Sequence, residues 1–85
     1  MSDADMKARI KRFLLDEFLQ GEDEAALTDD VTLVSGGIID SMASLRLVSF
    51  LEEQFGVAIP ASQIDADHLD TLDLIVATVK ANMPS

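Results

Sequence analysis

Eighty-five residues carry sixteen acidic side chains against six basic ones, a formal net charge of −10. That balance excludes a general nucleic-acid binder, which needs a basic face to displace counterions from phosphates, and it opposes docking on an anionic membrane. Hydrophobic residues, at 48%, are too many for a disordered acidic tail, and the lack of cysteine excludes disulfides, thiolate metal sites and a cysteine nucleophile. The longest apolar runs fall far short of a membrane span. With no signal-peptide pattern at the start, a cytoplasmic protein of one domain over residues 1–85 is expected.

Residues 3–19 read as an amphipathic helix. Met6, Ile10, Phe13, Leu14 and Phe18 recur at spacings of three and four, which places them on one face. Ser2 or Asp3 is the expected N-cap and Gly21 the expected stop. Residues 20–37 hold turn formers at both ends and no helical period. They read as a long loop anchored by Leu27, Val31, Leu33 and Val34, of a length that often has a role of its own.

A second helix is expected after Asp40, a good cap preceded by the breakers Gly36 and Gly37. Leu45, Val48, Leu51 or Glu52, and Phe55 follow its period, with Leu47 flanking the face, and Gly56 and Pro60 close it. A short helix or turn is expected over 61–68 with Ile64 as its inward anchor. A last helix is expected over 71–82, capped by Asp70 or Thr71, with Leu72, Ile75, Val76 and Val79 inward. Three long helices and a short one, without strand alternation, predict an all-α small four-helix bundle.

The informative string is Gly36-Gly37-Ile38-Ile39-Asp40-Ser41-Met42. Ser41 follows the cap and so falls in the first helical turn, its hydroxyl toward solvent. N–H groups there have no partner within the helix, and the macrodipole is positive at that end, a favourable field for an attached phosphate. Asp40 is placed to hold a divalent ion or a partner's basic group while a phosphate is delivered. Taken alone, Asp-Ser at a helix start is common capping chemistry and most such serines are never modified.

The wider context resembles the acyl and peptidyl carrier proteins, whose attachment-site core is Asp-Ser-Leu. Asp40, Ser41 and Met42 stand in those places, and the likeness continues through Leu45, Leu47, Val48, Leu51, Glu52, Glu53, Phe55, Gly56, Val57 and Ile59-Pro60. The resemblance implies that Ser41 is esterified by 4′-phosphopantetheine from coenzyme A, Asp40 supporting. It implies that the arm's thiol holds acyl or aminoacyl groups as thioesters, which accounts for a chain with no thiol of its own. It further implies three partners: a phosphopantetheinyl transferase, an adenylating ligase or acyltransferase that loads the thiol, and a downstream acceptor enzyme. The chain itself is then a monomeric substrate of enzymes, not an enzyme.

Met42 replaces the family's leucine, and Ala43-Ser44-Leu45-Arg46 stands where fatty-acid-type carriers have acids, Arg46 reversing the sign. Gln54-Phe55-Gly56-Val57, the acidic Ile64-Asp65-Ala66-Asp67 and Asp70-Thr71 are similar to free-standing amino-acid carriers, the D-alanyl carriers among them. An amino acid or small acyl cargo is therefore expected, with a fatty-acyl or polyketide-type carrier as the alternative. Candidate partner contacts are Ile38, Ile39, Met42, Arg46 and Leu47. An unmodified acidic helical adaptor is the rival from another class. A Ser41–His68–aspartate triad lacks the Gly-x-Ser-x-Gly elbow. Counted as a calcium loop from Asp65, Leu69 falls at the fifth position and Val76 at the twelfth, so that pattern fails.

Overall fold

The computed structural model describes residues 2–19 and 27–83. Among them every helix or strand assignment is helical: α1 (Asp3–Glu17), α2 (Ser41–Phe55), a 3₁₀ turn (Ala61–Gln63), α3 (Ala66–Leu69) and α4 (Leu72–Asn82). This is the all-α bundle the apolar periodicity predicts.

Ser2 starts α1. Its backbone is extended and its hydroxyl accepts the Asp5 N–H at 3.2 Å, while Asp3 and Asp5 sit at the positive end of the helix. The helix closes when the Phe18 N–H returns to the Leu14 carbonyl. Gly21, the expected stop, lies outside the described residues. Met6, Ile10, Leu14 and Leu15 are buried. Phe13 and Phe18, expected on the buried face, are half-buried instead. They cover the α1–α2 seam: Phe13 stacks on Phe50 (ring centroids 4.1 Å apart) and meets Phe18 edge-on at 5.8 Å.

The described part of the loop is anchored much as its sequence suggests. Leu27 and Leu33 are fully buried, and Val31 and Val34 pack half-buried against the core. On α2, however, the apolar period is ambiguous, because leucine and valine occupy 45, 47, 48 and 51. The structure buries Ser44, Leu47, Val48 and Leu51. At about 100° per residue, Leu45 then points well off that stripe and is 56% exposed, contrary to the inward position its spacing suggests. Phe55 is half-buried. Gly56 ends α2 in the left-handed region (φ 64°). The Glu52 carboxylate accepts the Ile59 N–H at 2.9 Å, pinning the turn that buries Val57 and Ile59.

The third expected helix divides into the 3₁₀ turn and the four-residue α3, capped by the Asp65 side chain. Leu69 is its fully buried anchor; Ile64 is only half-buried. Thr71 caps α4, whose Leu72, Ile75, Val76 and Val79 are buried as the period predicts. Thr78 joins them, its hydroxyl donating to the His68 carbonyl at 3.0 Å. Both α1 and α3 pack on α4. Exposed ion pairs tie the same elements: Lys7 reaches Asp29 of the loop at 3.1 Å and Asp73 of α4 at 2.6 Å. Such exposed pairs, screened by solvent, contribute little to stability. Among the described residues no helix is long and apolar enough to cross a membrane.

Candidate functional site

The approach to α2 is a tight loop. The Gly36 N–H donates to the Thr32 carbonyl and the Gly37 N–H to that of Val34. A Cβ on Gly36 would lie 2.3 Å from the Thr32 carbonyl oxygen, closer than real contacts allow. Gly37 has φ +81°, where a side chain is strained. The Ile39 N–H then bonds the Leu33 carbonyl at 2.9 Å, and both side chains are buried. The loop thus clamps itself shut immediately before Asp40.

Asp40 has extended backbone, and its carboxylate accepts the Ala43 N–H at 2.8 Å. Its carbonyl takes the Ser44 N–H at 2.9 Å and the Ser44 hydroxyl at 3.0 Å. Capping is therefore done by Asp40 and packing by Ser44, which leaves Ser41 exposed at the first position of the helix. The N–H groups of Ser41 and Met42 precede the first intrahelical bond and point along the positive end of the dipole.

A groove of about 620 Å³ opens beside the serine, lined by Val34, Ile39, Asp40, Ser41, Ser44, Leu45, Ala61, Ile64 and Asp65. It brings the start of α2 against the 3₁₀ turn. Met42, the next residue of the helix, is 75% exposed. Arg46 is also exposed, pairing with Glu17 at 2.9 Å and lying over the Phe18 ring at 5.9 Å. Ile38 is half-buried.

Two of the expected partner contacts are corrected here. Ile39 and Leu47 are sealed in the core, at 1% and 0% exposure, so neither offers a side chain to a visitor. The apolar surface near the serine comes from Met42 and Leu45 instead. His68 donates or accepts at Asp65, 2.7 Å away, and is not among the residues lining the groove. Its hydrogen bond holds the Asp65 carboxyl below the ordinary value.

A further residue escaped the sequence reading. Asp70, expected as a possible cap of α4, turns away from that helix. Its carboxylate accepts the N–H groups of Val34 at 3.0 Å and Ser35 at 2.9 Å and the Ser35 hydroxyl at 2.7 Å. The Ser35 N–H, then its hydroxyl, then the Val34 N–H hold the Asp70 carboxyl below the ordinary value.

Residues 14–79 match the family model described as the phosphopantetheine attachment site. The chain is 35% identical over 80 residues to the D-alanyl carrier protein of Lacticaseibacillus casei (strain BL23), covering 94% of this chain and 96% of that one. It is 40% identical over 76 residues to D-alanyl carrier protein 1 of Lactiplantibacillus plantarum, covering 89% and 91%. Over 65 residues it is 32% identical to the D-alanyl carrier protein of Enterococcus faecalis, covering 76% and 83%. A match over most of the helical bundle, with relatives nearly coextensive with the chain, places this protein in the phosphopantetheine attachment-site family, the carriers that bind a 4′-phosphopantetheine prosthetic group.

Proposed function

We propose that Ser41 is the attachment point of the prosthetic arm and that the chain is a free-standing aminoacyl carrier. The observation that supports this above all is the division of labour at the start of α2. Asp40 spends its carboxylate on the cap and Ser44 its hydroxyl on the Asp40 carbonyl, while Ser41 stays exposed beside an open groove.

The residues fit the group. A phosphate on the Ser41 oxygen would lie near the N–H groups of the first turn, at the favourable end of the dipole. Attachment replaces the Ser41 hydroxyl proton with a phosphodiester and releases adenosine 3′,5′-bisphosphate from coenzyme A. When bound, the arm supplies a thiol, absent from this cysteine-free chain, on which cargo is held as a thioester. Asp40 fixes the helix start and with it the backbone that presents Ser41. Met42 and Leu45, both exposed, give visiting enzymes an apolar foothold next to it, with Ile38 and Arg46 at the margins.

An amino acid is the favoured cargo over a fatty acyl chain. The relatives are named D-alanyl carriers, and Arg46 puts a cation where fatty-acid-type carriers present acids. The partners are a phosphopantetheinyl transferase, an adenylating ligase that loads the thiol, and an acceptor enzyme. Holding cargo on the carrier keeps it at high effective concentration for each of them.

Intact-protein mass spectrometry tests the assignment. Incubated with coenzyme A, magnesium and a broad-specificity transferase, the wild type gains the mass of one phosphopantetheine and Ser41→Ala gains none. An unmodified wild type, under conditions that modify a control carrier, refutes the reading in favour of an unmodified adaptor. Native protein isolated with its thioester intact reports the cargo mass, and a fatty acyl mass overturns the aminoacyl part alone.

A further inference from the structure

We infer that Asp70 is a positioning residue for modification of Ser41, acting across the fold through the loop that leads into α2. The inference rests on the reading that Ser41 carries the arm.

Asp70 lies between α3 and α4, 29 residues from the serine in sequence. It nevertheless makes four bonds to one short stretch. The carboxylate accepts from the Val34 and Ser35 N–H groups and the Ser35 hydroxyl, and the Asp70 carbonyl accepts the Leu33 N–H. Leu33 in turn takes the Ile39 N–H on its own carbonyl. The chain of contacts therefore runs from Asp70 to residues 33–35, then to Ile39, and from there to Asp40 and Ser41 by peptide bonds alone.

Val34 and Ile39 also line the groove beside Ser41. Asp70 thus sets both one wall of that groove and the path of the backbone into the helix. Three charge-assisted bonds to a carboxylate make a strong latch for a stretch with no helical ladder of its own. Thr71, not Asp70, caps α4, so the carboxylate is not needed where its sequence position suggests. Removing the latch leaves Ser41, its cap and the exposed Met42 and Leu45 in place chemically, but frees the loop that orients them. A transferase must hold the serine oxygen in line with the phosphorus it attacks, and small misplacements at that distance are costly.

The experiment compares full-length wild type, Asp70→Ala, Asp70→Asn and a core control, Val79→Ala, in a transferase assay at saturating and limiting carrier, alongside helix content and thermal melting. Asp70→Ala is expected to lower kcat/KM for Ser41 modification about tenfold with helix content retained. Asp70→Asn, which keeps one carbonyl oxygen for the two N–H groups and an amide to meet the Ser35 hydroxyl, recovers most of the rate. Val79→Ala, destabilised but remote from the loop, modifies at the wild-type rate while folded. Equal slowing of Asp70→Ala and the core control at matched folded fraction overturns the inference, as does a wild-type rate for Asp70→Ala. Should Asp70→Ala fail to fold, Ser35→Ala, which removes the hydroxyl bond to the carboxylate, carries the test, and a wild-type rate for it refutes the inference. Failure of the wild type itself to be modified refutes the attachment reading instead, so the two failures are distinct.

Discussion

Two helix starts in this chain are spelled almost alike: Asp40-Ser41-Met42 opens α2 and Asp70-Thr71-Leu72 opens α4. Their chemistry differs because the register of capping differs by one residue. At α2 the aspartate caps, accepting the Ala43 N–H at 2.8 Å, and the hydroxyl residue is left over. At α4 the threonine caps, its hydroxyl accepting the Leu74 N–H at 3.1 Å, and the aspartate is left over to latch the loop. The residue after each hydroxyl completes the contrast: Met42 is 75% exposed and Leu72 fully buried. A capping motif alone thus does not mark an exposed hydroxyl: what counts is which polar group the cap leaves over and whether the next residue faces outward.

The largest expected effect tests that contrast directly. Ser41→Ala abolishes gain of the arm in the mass assay yet shifts stability by less than about 0.5 kcal/mol, as for other surface changes away from caps and core. A large drop in melting temperature would mean that the hydroxyl has structural work the geometry does not assign to it. Next come the two leucines of α2. Leu47→Ala removes a fully buried side chain and is expected to cost about 2–5 kcal/mol in denaturant unfolding. Leu45→Ala, at 56% exposure, costs less than about 1 kcal/mol but weakens binding to the transferase, read as a raised KM. Equal costs for the two would contradict the phase of α2.

That pair also marks where sequence reading stops. Local signals held: Ser2, Asp40 and Thr71 cap the helices they precede, and Gly56 ends α2 in the left-handed region. The exposed serine followed from the Asp-Ser register and the family likeness, both legible in one dimension. The phase of α2 was not legible, because apolar residues at 45, 47, 48 and 51 fit two overlapping stripes. Only the packed core decides between them: Leu47, Val48 and Leu51 join the buried cluster and Leu45 does not. Leu47, a candidate contact that also flanked the apolar face, falls in the core for that reason, while Ile39, in the loop before α2, is buried where its N–H bonds the Leu33 carbonyl. The role of Asp70 was invisible for a different reason. Its partners are backbone N–H groups 35 and 36 residues away, and no side-chain pattern advertises a backbone donor. The division of the third helix around Asp65 and Leu69 hangs on a cap within a four-residue helix, too short to leave a period.

Exchanging the caps gives a smaller effect. Thr71→Ala removes the hydroxyl that bonds Leu74 and is expected to cost about 1 kcal/mol with no change in modification of Ser41. Asp40→Ala costs a similar amount, about 1 kcal/mol, but also slows modification, since its cap fixes the backbone that presents Ser41. Slowing by Thr71→Ala to the same degree as Asp40→Ala would erase the distinction between the two helix starts.

The smallest effect is in pH. The Asp70 carboxyl titrates below the ordinary value because the folded loop donates to its ionised form. A depressed folded-state value means that ionisation favours the fold, fully above the unfolded carboxyl value of about 3.9. The contribution fades as pH falls through the lower, folded value. Asp70→Asn cannot ionise. Its melting temperature should therefore lie below that of the wild type by a constant margin from neutral pH down to about 5. The margin should then narrow as the wild type takes up the proton that its loop had excluded, below about 4. The Asp65 carboxyl is held down in the same way by His68, so Asp65→Asn narrows over the same acid range. The difference lies in what else changes: loss of charge at Asp65 touches the cap of the four-residue α3, whereas loss at Asp70 loosens the approach to Ser41. Modification rates at neutral pH should therefore separate two residues whose acid melting curves look alike, with Asp65→Ala modified at the wild-type rate while folded and Asp70→Ala slowed.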